Sequence, residues 1–227
     1  MGMEKPTLSS YIRDHVKDGI DKEPGPFVTI SRQFGCNGFE VADLLAEKLN
    51  KDTDEDAHWR VYKREILRQV AQEAGLSEEV IERERQRRPS FILDFFRSLH
   101  GSKIPDSLSI LKSVTTIVRT IAFEGRAIIV GHGATAATCE IDNGLNIRIE
   151  APRQWRLRRL CSRDGVSFQE AEKLIQETES GRKHLDKIYR KWNPRKPAFS
   201  MVFDNSTFTD EQIVEHVILA MEQKNLI

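Results

Sequence analysis

The chain has 227 residues, and its 35 Lys and Arg residues balance its 35 Asp and Glu residues. This length suits one large domain, or one domain with an inserted lid. The zero formal charge excludes a protein held to nucleic acid by bulk positive charge. The apolar runs are far shorter than the ~20 residues of a membrane helix, so we expect no membrane partner. The N-terminal residues lack the apolar stretch of a secretory signal, which predicts a cytoplasmic protein.

The neutral total hides an uneven distribution of charge. Residues 40–56 contain seven acidic residues and two lysines, a local balance of −5. Residues 151–196 contain thirteen basic and six acidic residues, a local balance of +7. Such runs are usually solvated helix faces. Because apolar residues interrupt the basic run at helical spacing, it can also present arginines to an anionic ligand.

The first half of the chain begins with a predicted amphipathic helix and a Pro/Gly connector over residues 1–26. Residues 27–30 are apolar and β-branched, which predicts a buried strand. Apolar residues at helical spacing predict an amphipathic helix over 38–50. A polar loop leads to a short strand over 59–62, and residues 63–124 form a predicted helical insert.

The second half alternates strands with helices. Strands are predicted over 127–131, 145–149 and 201–203. Two helices lie in the arginine-rich region 152–197, and the second begins at a capping box formed by Ser167 and Glu170. A last helix is capped by Thr209 and Gln212 and ends near residue 223. This order indicates a parallel sheet with helices on both faces, in which ligands bind at the carboxyl ends of the strands.

The loop between the first strand and its helix carries the main functional signal. Gly35 and Gly38 allow its backbone N–H groups to approach a phosphate, and the helix N-terminus adds partial positive charge. Alignment with G-x-x-x-x-G-K-[ST] puts Arg32 at the first glycine, Gly38 at the lysine and Phe39 at the hydroxyl residue. By spacing alone, the loop is either a degenerate phosphate-binding loop or an ordinary turn.

Cysteine and carboxylate spacing predicts no metal site. Cys36, Cys139 and Cys161 are widely separated, and the chain has no Cys-x-x-C pair. Cys36 differs from the others because it precedes a helix N-terminus, which can lower a thiol pKa. The candidate carboxylates are too scattered to define a metal pair; they are Glu40, Asp54, Glu65, Asp142 and Asp204.

The run ISRQFGCNGFEVADLLAEKL resembles the opening of the cytidylate kinase-like family, a P-loop group. Further segments resemble later elements of the family in the same order: WRVYKREIL, ER followed by PSF, AIIVGHGA, RIEAP and FDNS. The resemblance implies a P-loop NTPase, nucleoside monophosphate kinase-like fold, a three-layer α/β/α domain with a five-stranded parallel sheet. This single domain would span 27–227, with a monophosphate-binding insert over 63–124 and an arginine-bearing lid over 152–197.

The resemblance also implies an activity and a set of site residues. Members transfer the γ-phosphoryl group of ATP to a nucleotide with the help of Mg²⁺, and positioned positive charge supplies most of the catalysis. The predicted phosphate-binding loop comprises Ser31, Arg32, Gln33, Phe34, Gly35, Cys36, Asn37, Gly38, Phe39 and Glu40. The predicted catalytic phosphate clamps are Arg32, Arg156, Arg159 and Arg182, because guanidinium forks match phosphate oxygens. The predicted acceptor-binding residues are Lys63, Arg64, His132, Glu179 and Arg182.

Several alternatives stay open at this stage. The clamp arginines are equally consistent with surface salt bridges to Glu150, Glu177 and Asp186. His132 is also consistent with a structural histidine. A loop without its lysine fits either a kinase or a catalytically silent module that senses a nucleotide or phosphate. An apolar group in the insert fits either the core or a homodimer interface; its members are Phe91, Ile92, Phe95 and Phe96.

Overall fold

The computed structural model describes residues 23–63, 115, 118–131, 133–192 and 199–227, with only the backbone for residues 184–186 and 188–192. Several predictions therefore lie outside the described residues. They concern the N-terminal helix, most of the insert over 63–124, Arg64, His132 and the aromatic group of the proposed homodimer interface.

The described strands form one sheet in which every neighbouring pair is parallel. The strands are β1 (Phe27–Arg32), β2 (Arg60–Tyr62), β3 (Ala127–Val130), β4 (Gly144–Glu150) and β5 (Met201–Asp204). Their order in the sheet is β2-β3-β1-β4-β5. This arrangement confirms the predicted α/β fold class with a five-stranded parallel sheet.

Among the described residues, helices follow four of the strands, and all of them except the short helix after β3 were predicted from the sequence. They are α1 (Gly38–Asn50), α2 (Ala134–Ala137), α3 (Arg153–Asp164), α4 (Phe168–Trp192) and α5 (Asp210–Gln223), with a 3-10 helix at Glu55–Ala57. Both predicted capping boxes form, at Ser167 with Glu170 and at Thr209 with Gln212. Within the described part of the chain, no helix is long and apolar enough to cross a membrane.

The strand β1 is buried on both faces because both faces carry apolar side chains. Val28 and Ile30 belong to the main core, which α1 and α5 complete. Phe27 belongs to a second cluster with α2 and the helical residues 118–124. The sheet therefore lies between two helical layers, as the fold class requires.

A third apolar cluster joins the arginine-rich region to the β1–α1 loop. Leu157 and Leu160 of α3 pack against Ala171 and Ile175 of α4. Phe34, from the loop, packs against the same cluster. The two helices of the predicted lid thus contact the predicted phosphate-binding loop through both apolar and charged groups.

Candidate phosphate-binding site

The loop that joins β1 to α1 lies at the carboxyl edge of the sheet, where ligands bind in parallel α/β folds. Gly35 has a φ of +93°, and a Cβ there would lie 3.0 Å from Cβ of Arg156. A Cβ on Gly38 would lie 2.9 Å from Cγ of Arg32. Both positions therefore favour glycine, the first for its backbone angle and the second because an arginine stem lies against it.

The N-terminus of α1 offers hydrogen-bond donors to this loop. The N–H of Asn37 donates to Oδ1 of Asn205 at 2.9 Å. The next three N–H groups, of Gly38, Phe39 and Glu40, have no acceptor among the described residues. Free N–H groups and the helix dipole together attract an anion.

Arg32 lies directly over this helix end. Its guanidinium carbon is 4.8 Å from the centre of the Phe39 ring, and its side chain has no hydrogen bond to a described residue. Burial, together with the charge of Arg148, lowers the pKa of Arg32 to about 10, although Glu40 opposes the effect. The guanidinium stays protonated at neutral pH, so the lowered pKa reflects a poorly solvated charge that forms no ion pair with a described residue.

Arg182, from α4, lies beside Arg32. Its Nη1 donates to the backbone oxygen of Arg32 at 2.7 Å. Burial, then the charges of Arg32 and Arg148, lower the pKa of Arg182 to about 9, and Glu179 opposes them. Two of the predicted clamps, from distant parts of the sequence, therefore lie side by side.

Arg156 is buried, and its guanidinium binds protein groups. Its Nε donates to the backbone oxygen of Ala151 at 3.0 Å. Its Nη1 donates to the backbone oxygen of Phe34 at 3.0 Å and to Oε1 of Glu179 at 2.6 Å. These contacts join the loop, α3 and α4. A direct contact with phosphate stays a prediction for Arg156, while its contacts in the structure hold the loop in position.

The guanidinium of Arg159 makes fewer hydrogen bonds to described residues than that of Arg156. Its Nε is buried and has no hydrogen-bond partner among the described residues. Its Nη2 lies 3.8 Å from Oε1 of Glu40, and its guanidinium carbon is 5.7 Å from the Trp155 ring centre. An unpaired buried donor beside the loop is consistent with the predicted role of Arg159 as a clamp.

Arg148 is a fifth arginine at the site, and sequence reasoning missed it. Its Nη1 donates to Oγ of Ser31 at 2.8 Å, and its Nε donates to Oε1 of Glu150 at 3.0 Å. The signal was present in β4, where polar residues alternate with the buried Leu145, Ile147 and Ile149. That alternation places Arg148 on one face at the carboxyl end of a strand.

The predicted acceptor residues are only partly described. Glu179 accepts the hydrogen bond from Arg156, which places it at the loop. Lys63 pairs with Asp43 of α1 and lies 5.6 Å from the Phe39 ring centre. Acceptor binding by these residues stays a prediction.

A hydrogen-bond network that sequence reasoning also missed ties the loop to α5. Nδ2 of Asn37 donates to Oδ2 of Asp210 at 2.7 Å, and Nδ2 of Asn205 donates to Oδ1 of Asp210 at 3.1 Å. Oδ1 of Asn37 is buried without a partner among the described residues. A cleft of about 340 Å³ opens beside this network, with Trp155 and Phe208 in its walls.

A larger cleft, of about 870 Å³, lies at the opposite ends of the strands, with Pro26, Arg60 and Arg126 in its walls. These residues precede or begin their strands, so this cleft is at the amino ends. Its size does not make it the candidate site, because the loop glycines and the arginine group all lie at the carboxyl edge.

The suggestion that the helix N-terminus lowers the pKa of Cys36 is wrong. Cys36 is 7% exposed, and burial raises its pKa to about 11, even though Arg156, Arg148, Arg159 and Arg182 all favour the thiolate. The energetic cost of burying a thiolate outweighs the attraction of the arginines. The thiol is therefore protonated at neutral pH.

We expect Cys36 to resist alkylation in the folded protein at pH 8, while the half-buried Cys161 reacts faster. An unfolded thiol ionises near pH 9. The folded state keeps the proton up to a pH of about 11, so ionisation in this window should progressively destabilise the fold. Iodoacetamide labelling followed by peptide mass spectrometry, with and without urea, measures the reactivities, and urea unfolding between pH 8 and pH 11 measures the loss of stability. Labelling of Cys36 as fast as Cys161 in native buffer would contradict the expectation.

The described residues around the loop do not form a Mg²⁺ site of their own. Phe39 stands where P-loop proteins place a hydroxyl that binds the ion. Oδ1 of Asp204 already accepts hydrogen bonds from the backbone and hydroxyl of Ser206. Among the described residues, no group of three or more His, Cys, Asp and Glu side chains is arranged to hold a metal ion.

Comparisons with known proteins bear on the family and the fold of the chain. The model of the cytidylate kinase-like family matches residues 27–207. An uncharacterized protein from Eubacterium ventriosum has a similar fold, with a TM-score of 0.58 and 16% identity over 87% of this chain and 98% of that chain. TT1252 from Thermus thermophilus aligns over 88% of this chain and 99% of its own, with 14% identity and a TM-score of 0.39. A comparison with curated protein sequences finds no match. Since the family model covers most of the sequence, the chain belongs to the cytidylate kinase-like family.

Proposed function

We propose that the protein is an ATP-dependent phosphotransferase that acts on a nucleoside monophosphate or another small acceptor. One observation carries the proposal. Five arginines surround the loop at the N-terminus of α1, and fewer carboxylates lie near them among the described residues. The arginines are Arg32, Arg148, Arg156, Arg159 and Arg182, and the carboxylates are Glu40, Glu150, Glu179 and, near Arg159, Asp164.

This excess of positive charge calls for an anion with several negative charges. Arg32 and Arg182 are crowded by like charge and poorly solvated, which raises the free energy of the empty site. A bound triphosphate supplies the missing negative charge and accepts charge-assisted hydrogen bonds. The same guanidinium groups then stabilise charge on the transferred phosphoryl group, since this reaction needs chiefly positioned positive charge.

The cleft beside Asn37 supports a nucleotide rather than a bare phosphate. Trp155 and Phe208 provide aromatic surface there, and the unpaired Oδ1 of Asn37 is an acceptor for a donor on a base or sugar. We assign the nucleoside of ATP to this cleft and its phosphates to the loop. The nucleoside and phosphate positions would then be fixed by one network of Asn37, Asn205 and Asp210.

A catalytically silent nucleotide sensor is the second candidate, and Phe39 favours it. Its ring lies beneath Arg32, at the position where an active P-loop carries a metal-binding hydroxyl. The arginine group would bind a nucleotide equally well in such a sensor. Turnover, rather than affinity, therefore separates the two candidates.

The test uses the full chain with Mg·ATP and each common nucleoside monophosphate, and follows phosphorylated product by chromatography. We expect product with at least one acceptor, and saturable ATP binding by calorimetry. Saturable binding without turnover would leave the sensor. If neither ATP nor GTP binds at millimolar concentration, both candidates fail. Arg119→Gln is the matched control, because Arg119 pairs with Glu140 outside the arginine group at the loop and the two side chains are 41% and 44% exposed.

A further inference from the structure

We infer that Arg148 is a further phosphate-binding residue, which holds an oxyanion of the nucleotide substrate from the face of the sheet opposite α1. The inference rests on the proposed function and extends it to a residue on β4, outside both the loop and the arginine-rich helices. With Arg148, the positive charge of the site comes from the end of β1, from α3 and α4, and from β4.

The position of Arg148 follows from the alternation of β4. Leu145, Ile147 and Ile149 point into the core that α1 and α5 cover. Arg148 therefore points to the other face, beside Ser31, its partner in the register of β1 and β4. A strand fixes a side chain more precisely than a loop does, which favours an arginine that must meet a phosphate at one position.

The guanidinium of Arg148 has unused donors. A guanidinium carries five N–H donors. The hydrogen bonds to Ser31 and Glu150 use two of them, and the other three have no acceptor among the described residues. The side chain is 19% exposed, so the group is largely enclosed but still open to a ligand. The Phe199 ring centre lies 5.8 Å from its guanidinium carbon and limits its movement on one side.

The charge of Arg148 acts on the predicted clamps. It lowers the pKa of both Arg32 and Arg182, which means that the three guanidinium groups are close enough to repel one another. Glu150 pairs with Arg148 at 3.0 Å. One oxyanion placed among the three groups would relieve the repulsion and accept hydrogen bonds from the unused donors of Arg148.

A purely structural role makes a different prediction. If Arg148 only joins Ser31 to Glu150, its loss would lower the stability of the sheet and leave the affinity for phosphate unchanged. The two roles are therefore separated by measuring affinity and stability on the same variants.

The experiment measures inorganic tripolyphosphate and ATP binding to the full chain by calorimetry, at low and high salt. We expect Arg148→Gln to weaken tripolyphosphate binding about tenfold or more, because a charge-assisted contact is lost. Arg148→Lys should recover part of the loss, since it keeps the charge without the fork. Glu150→Gln should raise the affinity, because it removes a competing negative charge while Arg148 stays. The difference in affinity between each variant and the unaltered chain should decrease at high salt.

The outcomes separate this inference from the proposed function. If the unaltered chain binds both ligands and Arg148→Gln binds them equally well, the inference is overturned and the proposed function stands. If the unaltered chain binds neither ligand, both are overturned. Arg119→Gln should match the unaltered chain throughout. Thermal unfolding of each variant reports folding, and if Arg148→Gln unfolds, Arg148→Lys and Glu150→Gln still decide the question: unchanged affinity in both overturns the inference.

Discussion

Arg156→Ala is expected to lower the free energy of unfolding by about 3–5 kcal/mol, the range for breaking a buried ion pair by removing one partner. Arg156 is 4% exposed. The change removes three hydrogen bonds and leaves Glu179 without its partner, together with two backbone oxygens. The loop also loses the hydrogen bond that holds the backbone oxygen of Phe34.

Arg153→Ala is the matched control, because Arg153 lies on the same helix and also pairs with a glutamate of α4, Glu172. Both of those side chains are 42% exposed, so its loss should change stability much less than the loss of Arg156 does. Urea unfolding measures both variants. Adding Glu179→Ala to Arg156→Ala should cost less than the sum of the single changes, since no carboxylate is then orphaned. Equal stability of Arg156→Ala and Arg153→Ala would show that the buried network contributes little.

The sequence was sufficient for most of the described fold because the signals there are local. The apolar spacing predicts α1 over 38–50, and the structure has Gly38–Asn50. The capping boxes at Ser167 and Thr209 place the starts of α4 and α5 within a residue. The short helix α2 was missed, since a helix of four residues is too short to show a helical spacing of apolar residues.

The site was harder to predict because its contacts join distant parts of the chain. Helical spacing puts Arg153, Arg156 and Arg159 near one face, yet it cannot say that Arg156 is buried. That follows from the packing of α3 on α4 and from carbonyl acceptors on the loop. The bond from Asn37 to Asp210 spans 173 residues and has no local signal. Arg148 was partly within reach, since strand alternation alone would have placed it on one face at the carboxyl end of β4, while its position beside Ser31 depends on the pairing of β1 with β4.

Arg32→Gln is expected to weaken ATP binding about 10- to 100-fold, which corresponds to the loss of about 1.5–3 kcal/mol of charge-assisted hydrogen bonding. Arg32 stands where a P-loop would begin, and its side chain lies across the N-terminus of α1 without a hydrogen bond to a described residue. Its charge is thus available to a phosphate. Calorimetry with ATP measures the change, which should be larger at low salt because added ions screen the interaction.

Unlike Arg156→Ala, Arg32→Gln should not lower the free energy of unfolding. The pKa of Arg32 is lowered to about 10 in the folded state, chiefly by burial, so folding disfavours its charge at neutral pH. Removing that charge should leave the free energy of unfolding unchanged or raise it, even after the contact with Phe39 is lost. A large loss of stability with unaltered affinity for ATP would make Arg32 a structural residue. Weaker binding in a chain of undiminished stability would instead make it the group that replaces the missing lysine.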